Sequence, residues 1–298
     1  PITLEDQTMP LRPFAVALLT GILALGAGST GADGRSSPPP VTLPGTAQIE
    51  LTAGPDGGRP YRLLVSEPRE EVEPPDDGYP VLFVLDGNAH FAAFHAARRL
   101  QKRFAATIVV GVGYPTDKPL DFERRSYDFS PPAPPSRNDP PQGGDAAFLE
   151  TLSRHIVPAI AERYPVDRNR LSVFGHSFGG MFALHALFAR PGLFSDYVVA
   201  SPSLWWQHDY LLDEERRFVA RVKAGRVDVR DVSVLLVAGS RETPQTIQDA
   251  RAQAKRLRPL SAHGLRTAFH LQPGEGHMSL PPAIVTRTLR QVFTARRY

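Results

Sequence analysis

The chain of 298 residues contains no cysteine. That absence excludes disulfides, thiolate metal sites, a cysteine nucleophile and the lipid-anchor cysteine of a bacterial lipoprotein, so stability has to come from packing. An excess of one charge is missing too. Thirty-four Lys and Arg stand against 31 Asp and Glu, and a net charge of +3 is too small for a nucleic-acid binder judged on charge alone. It is compatible with an anionic substrate without arguing for one. Long hydrophobic runs are also lacking, since the apolar stretch from Phe14 to Ala27 falls short of the roughly 20 residues of a membrane span. No internal repeat, heptad run or second core is visible, which favours one large domain.

What the chain has in excess is proline, 30 residues against a usual share of roughly 5%, in a composition that is otherwise globular at 42% hydrophobic. Pro38, Pro39, Pro40 and Pro44 mark a Gly, Ser and Pro-rich linker, and eight more fall between Pro115 and Pro141. Loops of that length tend to be lids or disordered segments. Ahead of the linker, Met9 to Arg12, the apolar run and the small residues from Gly26 to Ala32 read as the basic, apolar and cleavage regions of a secretory leader. The alternative is a retained single-helix anchor, and either reading places the body outside the cytoplasm, with export to the periplasm or medium expected. The expected organisation is a leader-like extension over 1–32, a linker over 33–45 and a catalytic domain over 46–298 with a lid loop at 115–141. After leader removal no stable membrane insertion is expected.

Within the body, apolar runs and helical patterns alternate. Val81 to Leu85, Ala106 to Val112, Leu171 to Phe174, Tyr197 to Ala200 and Val232 to Ala238 are near-continuous apolar stretches, as in strands buried on both faces of a parallel sheet. Ala47 to Thr52 and Tyr61 to Ser66 alternate like a hairpin, and Thr267 to Leu271 supplies a last strand. Helical patterns fill the intervals at 92–101, 146–163, 181–190, 213–222 and 246–256, with a terminal one at 283–294; Pro158 is expected to kink or restart the second. This is an α/β fold with a mostly parallel central sheet and helices on both faces.

One pentapeptide carries chemistry. Gly175-His176-Ser177-Phe178-Gly179 is a Gly-x-Ser-x-Gly sequence, a pattern that arises by chance about 0.1 times in a chain this long. Its setting between a strand and a helix is that of a nucleophile elbow, whose flanking glycines are expected to avoid collisions with neighbouring backbone. Ser177 is then the nucleophile, and the Phe178 N–H at the helix start is one oxyanion donor. The chain order Ser, acid, His points to His277 after the last strand and to Glu242 after Val232 to Ala238. Asp249 and Glu275 stand behind Glu242 as alternatives, and a dyad of Ser177 and His277 alone stays open. The second oxyanion donor falls to the Asn88 backbone N–H, with Asp86 expected to cap nearby backbone donors. No metal or organic cofactor is needed; His90 and His95 are not spaced as a metal set, and His176 is expected to pack under the elbow.

Together YPVLFVLDGNAHF (79–91), VVGVGYP (109–115), ERRSYDFSP (123–131), LSRHIVPAIAERYPVD (152–167), LSVFGHSFGGMFALHALF (171–188), ASPSLWW (200–206) and GEGHMS (274–279) resemble the esterase D-like branch of the α/β-hydrolases, and within it the periplasmic siderophore esterases. The resemblance implies a serine esterase acting on a small-molecule ester, with an anionic ferric catecholate trilactone as one candidate. S-formylglutathione hydrolases, carbohydrate-ester esterases and acyltransferases share the branch, and a non-catalytic binder is a further alternative. The oligomeric state stays open. Arg124 and Arg125 would attract a trianion at the rim of the site, or else are solvated or paired within the protein, Arg125 with Asp128. Trp205 and Trp206 would offer a stacking wall, or else core packing.

Overall fold

The computed structural model describes residues 39–55, 58–206 and 208–294, with the side chains of residues 208 and 209 left aside. The leader-like segment and most of the linker lie outside the described residues. From β1 (Thr46–Ala53) and β2 (Arg59–Ser66) the chain runs through β3 (Tyr79–Leu85), α1 (Gly87–Leu100), β4 (Ile108–Gly113) and α2 (Phe122–Phe129). Next come α3 (Asp145–Thr151), α4 (Val157–Ala161), β5 (Val166–His176), α5 (Phe178–Ala189), β6 (Asp196–Ala200) and α6 (His208–Lys223). The rest comprises β7 (Ser233–Gly239), α7 (Pro244–Leu257), β8 (Arg266–Gln272), α8 (Leu280–Ala283) and α9 (Val285–Phe293). A π-turn over Leu152–Ile156 joins α3 to α4 immediately before Pro158, which has no N–H to give.

The strands form one eight-stranded sheet in the order β1-β2-β4-β3-β5-β6-β7-β8. β2 runs antiparallel to both β1 and β4, and the pairs from β4 through β3 and β5 to β8 are parallel. Every residue of β3, β4, β6 and β7 is buried, the burial pattern of strands covered on both faces. Alternate side chains feed two cores. Phe83, Val173, Val199 and Leu236 join Phe182, Phe188 and Phe218 on one face, while Leu82, Phe174, Val198 and Val237 join Phe94, Ile284 and Leu289 on the other. Each fully buried Phe contributes about 2 kcal/mol of transfer free energy, which is how a chain without disulfides holds its sheet in place.

The proline-rich stretch is more ordered than a plain loop. It contains α2, started by the Asp121 side chain accepting the Arg124 N–H at 3.1 Å and anchored by buried Arg125, Ser126, Asp128 and Phe129. Phe129 packs edge-on to Phe148 of α3 and against Phe182 of α5, so the root of the expected lid is part of the core. Among the described residues no helix is long and apolar enough to cross a membrane.

Candidate active site

Parallel strands in an open α/β sheet gather their loops at one edge. Here the carboxyl ends of β3, β5, β6, β7 and β8, adjacent in the sheet, deliver in turn Asp86 and Asn88, Ser177, Ser201 and Ser203, Glu242, and His277.

Ser177 holds φ 60° and ψ −119°, a conformation that costs a side-chain-bearing residue energy and presents its hydroxyl on the sharp turn between β5 and α5. Its N–H is bonded to the Ala200 carbonyl at 3.0 Å, which ties the turn to β6. A Cβ on Gly175 would lie 1.9 Å from the Gly179 carbonyl oxygen, so that position admits glycine alone. The other flanking glycine differs from expectation, because a Cβ on Gly179 would meet its nearest neighbour at an ordinary 3.5 Å. Gly180, outside the pentapeptide, is the tighter one, 3.0 Å from the Ala200 carbonyl, since α5 leans there on the end of β6.

His277 Nδ1 lies 3.0 Å from Glu242 Oε2, with the imidazole partly exposed and the carboxylate buried. Donation from Nδ1–H leaves Nε2 as the basic nitrogen. Burial by itself would raise the Glu242 carboxyl, but hydrogen bonds from His277 and Ser201 outweigh it and hold the group below its usual range. The Ser201 hydroxyl donates to Oε1, and the Gly239 N–H reaches the same oxygen at 3.3 Å. Gly239 has no Cβ to block the carbonyl of Glu275, which would lie 2.3 Å away, so the loop carrying His277 closes directly onto the end of β7. Glu275 contributes that carbonyl to the Arg241 N–H at 2.8 Å, and Asp249 sits on α7 accepting from Gln245. Of the three acids, Glu242 is the one hydrogen-bonded to His277.

The Ser177 hydroxyl lies 3.2 Å from that of Ser203, and among the described residues no hydrogen bond joins it to His277. The His277 ring stands 4.5 Å from that of His176, the residue before Ser177, and His176 is 5.9 Å from His90. His176 is buried beneath the elbow; burial first, then His277, His90 and Arg125, push it well below the usual imidazole range and keep it neutral.

Asn88 and Phe178 occupy the first turns of α1 and α5, and among the described residues their backbone N–H groups have no hydrogen-bond partner. The Asn88 side chain clasps the chain after β4: Oδ1 accepts the Tyr114 N–H at 2.9 Å, and Nδ2 donates to the Tyr114 and Thr116 carbonyls at 3.0 and 2.8 Å. Asp86 departs from expectation. It stands at the α1 N-cap in the left-handed region (φ 52°) without capping, and its carboxylate instead takes Arg125 Nε and Nη2 at 2.9 and 3.0 Å.

That pairing also corrects the expected rim arginines. Arg125 is buried, pairs with Asp86 and not with Asp128, and covers the rings of Phe129 and Phe178. Arg124 turns onto Tyr61 and Tyr114, 3.7 Å from Asp128, with Nη1 donating to the Pro60 carbonyl. Neither guanidinium is held out as a free rim charge, because the carboxylates buried beside them offer better partners than water. Trp206 packs against Phe178 and donates Nε1–H to Gln142 at 2.7 Å, while Trp205, 56% exposed, stands edge-on to it. No sequence motif marks Ser201 and Ser203; their signal is their place, directly after β6, the strand adjoining the one that ends at Ser177. A cavity of about 720 Å³ lined by Asp167, Asp196 and Asp231 opens at the amino ends of β5 to β7, on the opposite edge from Ser177.

The Esterase family matches over residues 56–278. The chain belongs to this family. The ferri-bacillibactin esterase BesA of Bacillus subtilis is 33% identical over 266 residues, which cover 84% of this chain and 90% of that one. The siderophore triacetylfusarinine C esterase of Aspergillus fumigatus is 39% identical over 197 residues, 62% of this chain and 65% of the relative. Among solved structures, the BES protein of Bacillus cereus superposes with a TM-score of 0.77 at 30% identity, covering 87% of this chain and all of that one. The esterase thus has the α/β-hydrolase architecture of siderophore esterases, and it is a serine carboxylic ester hydrolase.

Proposed function

We propose that this esterase hydrolyses siderophore esters at Ser177, with His277 as base and Glu242 as the acid that orients it. The observation that carries the reading is the strained Ser177 turn at the start of α5, with the hydrogen-bonded His277–Glu242 pair after β7 and β8 at the same edge of the sheet. His277 Nε2 takes the hydroxyl proton as Ser177 Oγ attacks the ester carbonyl, and the tetrahedral oxyanion is held by the N–H groups of Phe178 and Asn88. His277 then protonates the leaving alkoxide. A water deprotonated by the same nitrogen attacks the acyl-enzyme, and Ser177 recovers its proton as the acid departs.

The substrate class is supported by the relatives, named for ferri-bacillibactin and triacetylfusarinine C. Exposed Trp205 beside Trp206 offers aromatic surface next to Phe178. Buried Arg125, paired with Asp86, lies over the Phe178 ring and supplies no free charge to this surface, and half-buried Arg124 lies over Tyr61 and Tyr114. The leader-like run at 14–27 supports an exported enzyme, which N-terminal sequencing of the protein recovered from periplasm or medium would test.

Ser177→Ala should abolish turnover of a short aryl ester with the melting temperature unchanged. Full residual activity would overturn the assignment. Wild-type kcat/KM compared across ferric and iron-free trilactones, S-formylglutathione, feruloyl esters and aryl esters tests the substrate, and equal rates on all of them would remove the siderophore reading.

A further inference from the structure

Among the described residues three that are not glycine hold a positive φ: Asp86 at 52°, Ser177 at 60° and Ser201 at 40°. Such residues are strained and persist where the surroundings over-determine them. Asp86 leads into the helix that carries Asn88, and Ser177 is the nucleophile of the proposed mechanism. Ser201 has no part in that mechanism. It is completely buried at the end of β6, its N–H is bonded to the Val237 carbonyl of β7 at 2.8 Å, and its hydroxyl donates to Glu242 Oε1. Glycine would adopt this backbone conformation without strain but would bring no hydroxyl.

We propose that Ser201 is a positioning residue that fixes the Glu242 carboxylate, an inference resting on the reading of Glu242 as the acid. The terminal torsion of a glutamate is soft, so one hydrogen bond to His277 does not set the plane of the carboxylate. Ser201 engages Oε1 and so leaves Oε2 on His277 Nδ1; the Gly239 N–H, at 3.3 Å, is the longer contact to the same oxygen. Two anchors on different oxygens define the carboxylate plane, and through it the direction in which His277 presents Nε2. The left-handed backbone at Ser201 turns the chain out of the β6 ladder, whose last pair is Ala200 with Val237, and brings the hydroxyl to the end of β7.

The test is a cycle of Ser201→Gly, Glu242→Ala and the double variant on a short aryl ester, with kcat and KM read separately and a melting curve for each. Ser201→Gly should melt at or above the wild-type temperature, because it relieves strain, and still lose about tenfold in kcat with KM little changed. Ser201→Ala, which keeps the strain and lacks the hydroxyl, should lose the same factor. In the Glu242→Ala background Ser201→Gly should change kcat by less than about twofold, since there is no carboxylate left to hold. Native kcat in Ser201→Gly, or an equal loss in both backgrounds, overturns the proposal, the second marking a merely structural residue. A slow Glu242→Ala beside a fully active Ser201→Gly sinks the role of Ser201 alone. A fully active Glu242→Ala sinks the reading of the acid and the role of Ser201 with it.

Discussion

Arg125 carries a charge that the fold buries and answers with Asp86. Removing one partner of such a pair leaves the other desolvated and alone, which typically costs about 3–5 kcal/mol, whereas neutralising both at similar volume costs far less. Arg125→Met should therefore lower the urea midpoint sharply, and Asp86→Asn combined with it should recover much of the loss, Asn being tolerant of the left-handed backbone at that position. If the single variant is as stable as the native chain, the pair is not what holds the β3 turn to α2. The two glycines beside Ser177 make a second contrast. Gly175→Ala should prevent folding, since its Cβ would overlap the Gly179 backbone. Gly179→Ala should melt within a few degrees of wild type, because the nearest neighbour is at contact distance and alanine gains about 1 kcal/mol over glycine inside a helix.

Between elements, the helix that follows Ser177 is tied to the region beneath the proline-rich stretch by one buried histidine. His185 of α5 lies with Nδ1 2.8 Å from Glu214 of α6 and 3.7 Å from Asp145 at the start of α3. Burial would lower its imidazole, but the hydrogen bond to Glu214 and the charge of Asp145 outweigh that and raise it above 6.5. A raised folded-state value means that the stability supplied by protonated His185 is complete below the unfolded value of 6.5 and is lost as pH rises through the folded one. The difference in melting temperature between wild type and His185→Gln should be largest at about pH 6 and shrink toward about pH 9. Scanning calorimetry in pH steps checks it, and a constant difference would show that His185 acts by packing alone. The same elements explain why the region 115–141 read as plain loop. Prolines at both ends hide an eight-residue helix whose buried face, Arg125, Ser126, Asp128 and Phe129, is mostly polar by residue type and acquires its apolar surroundings only from α3 and α5.

Across the whole molecule, the sheet was legible because a strand covered on both faces must be apolar throughout, and runs such as VLFVL and VSVLLVA satisfy no other common element of that length. The elbow was legible for a local reason: strand, Gly-x-Ser-x-Gly and helix follow one another in eighteen consecutive residues, 171–188. That His277 and Glu242 lie at the same edge as Ser177 followed from chain order, since in a parallel sheet each strand must deliver its loop to the same edge. What no local pattern contains is which charge meets which. Arg125 chose Asp86, 39 residues away, over Asp128 beside it, Arg124 went to Tyr61 and Tyr114, and Ser201 reached Glu242 from the neighbouring strand. The sequence by itself determined the strands, their apolar faces and the sharp turn at Ser177, because those depend on periodicity and on steric demands within a few residues. The partners of the buried polar groups were decided only by the tertiary structure, because desolvation makes each of them take whatever complementary atom the packed sheet brings within 3 Å or so.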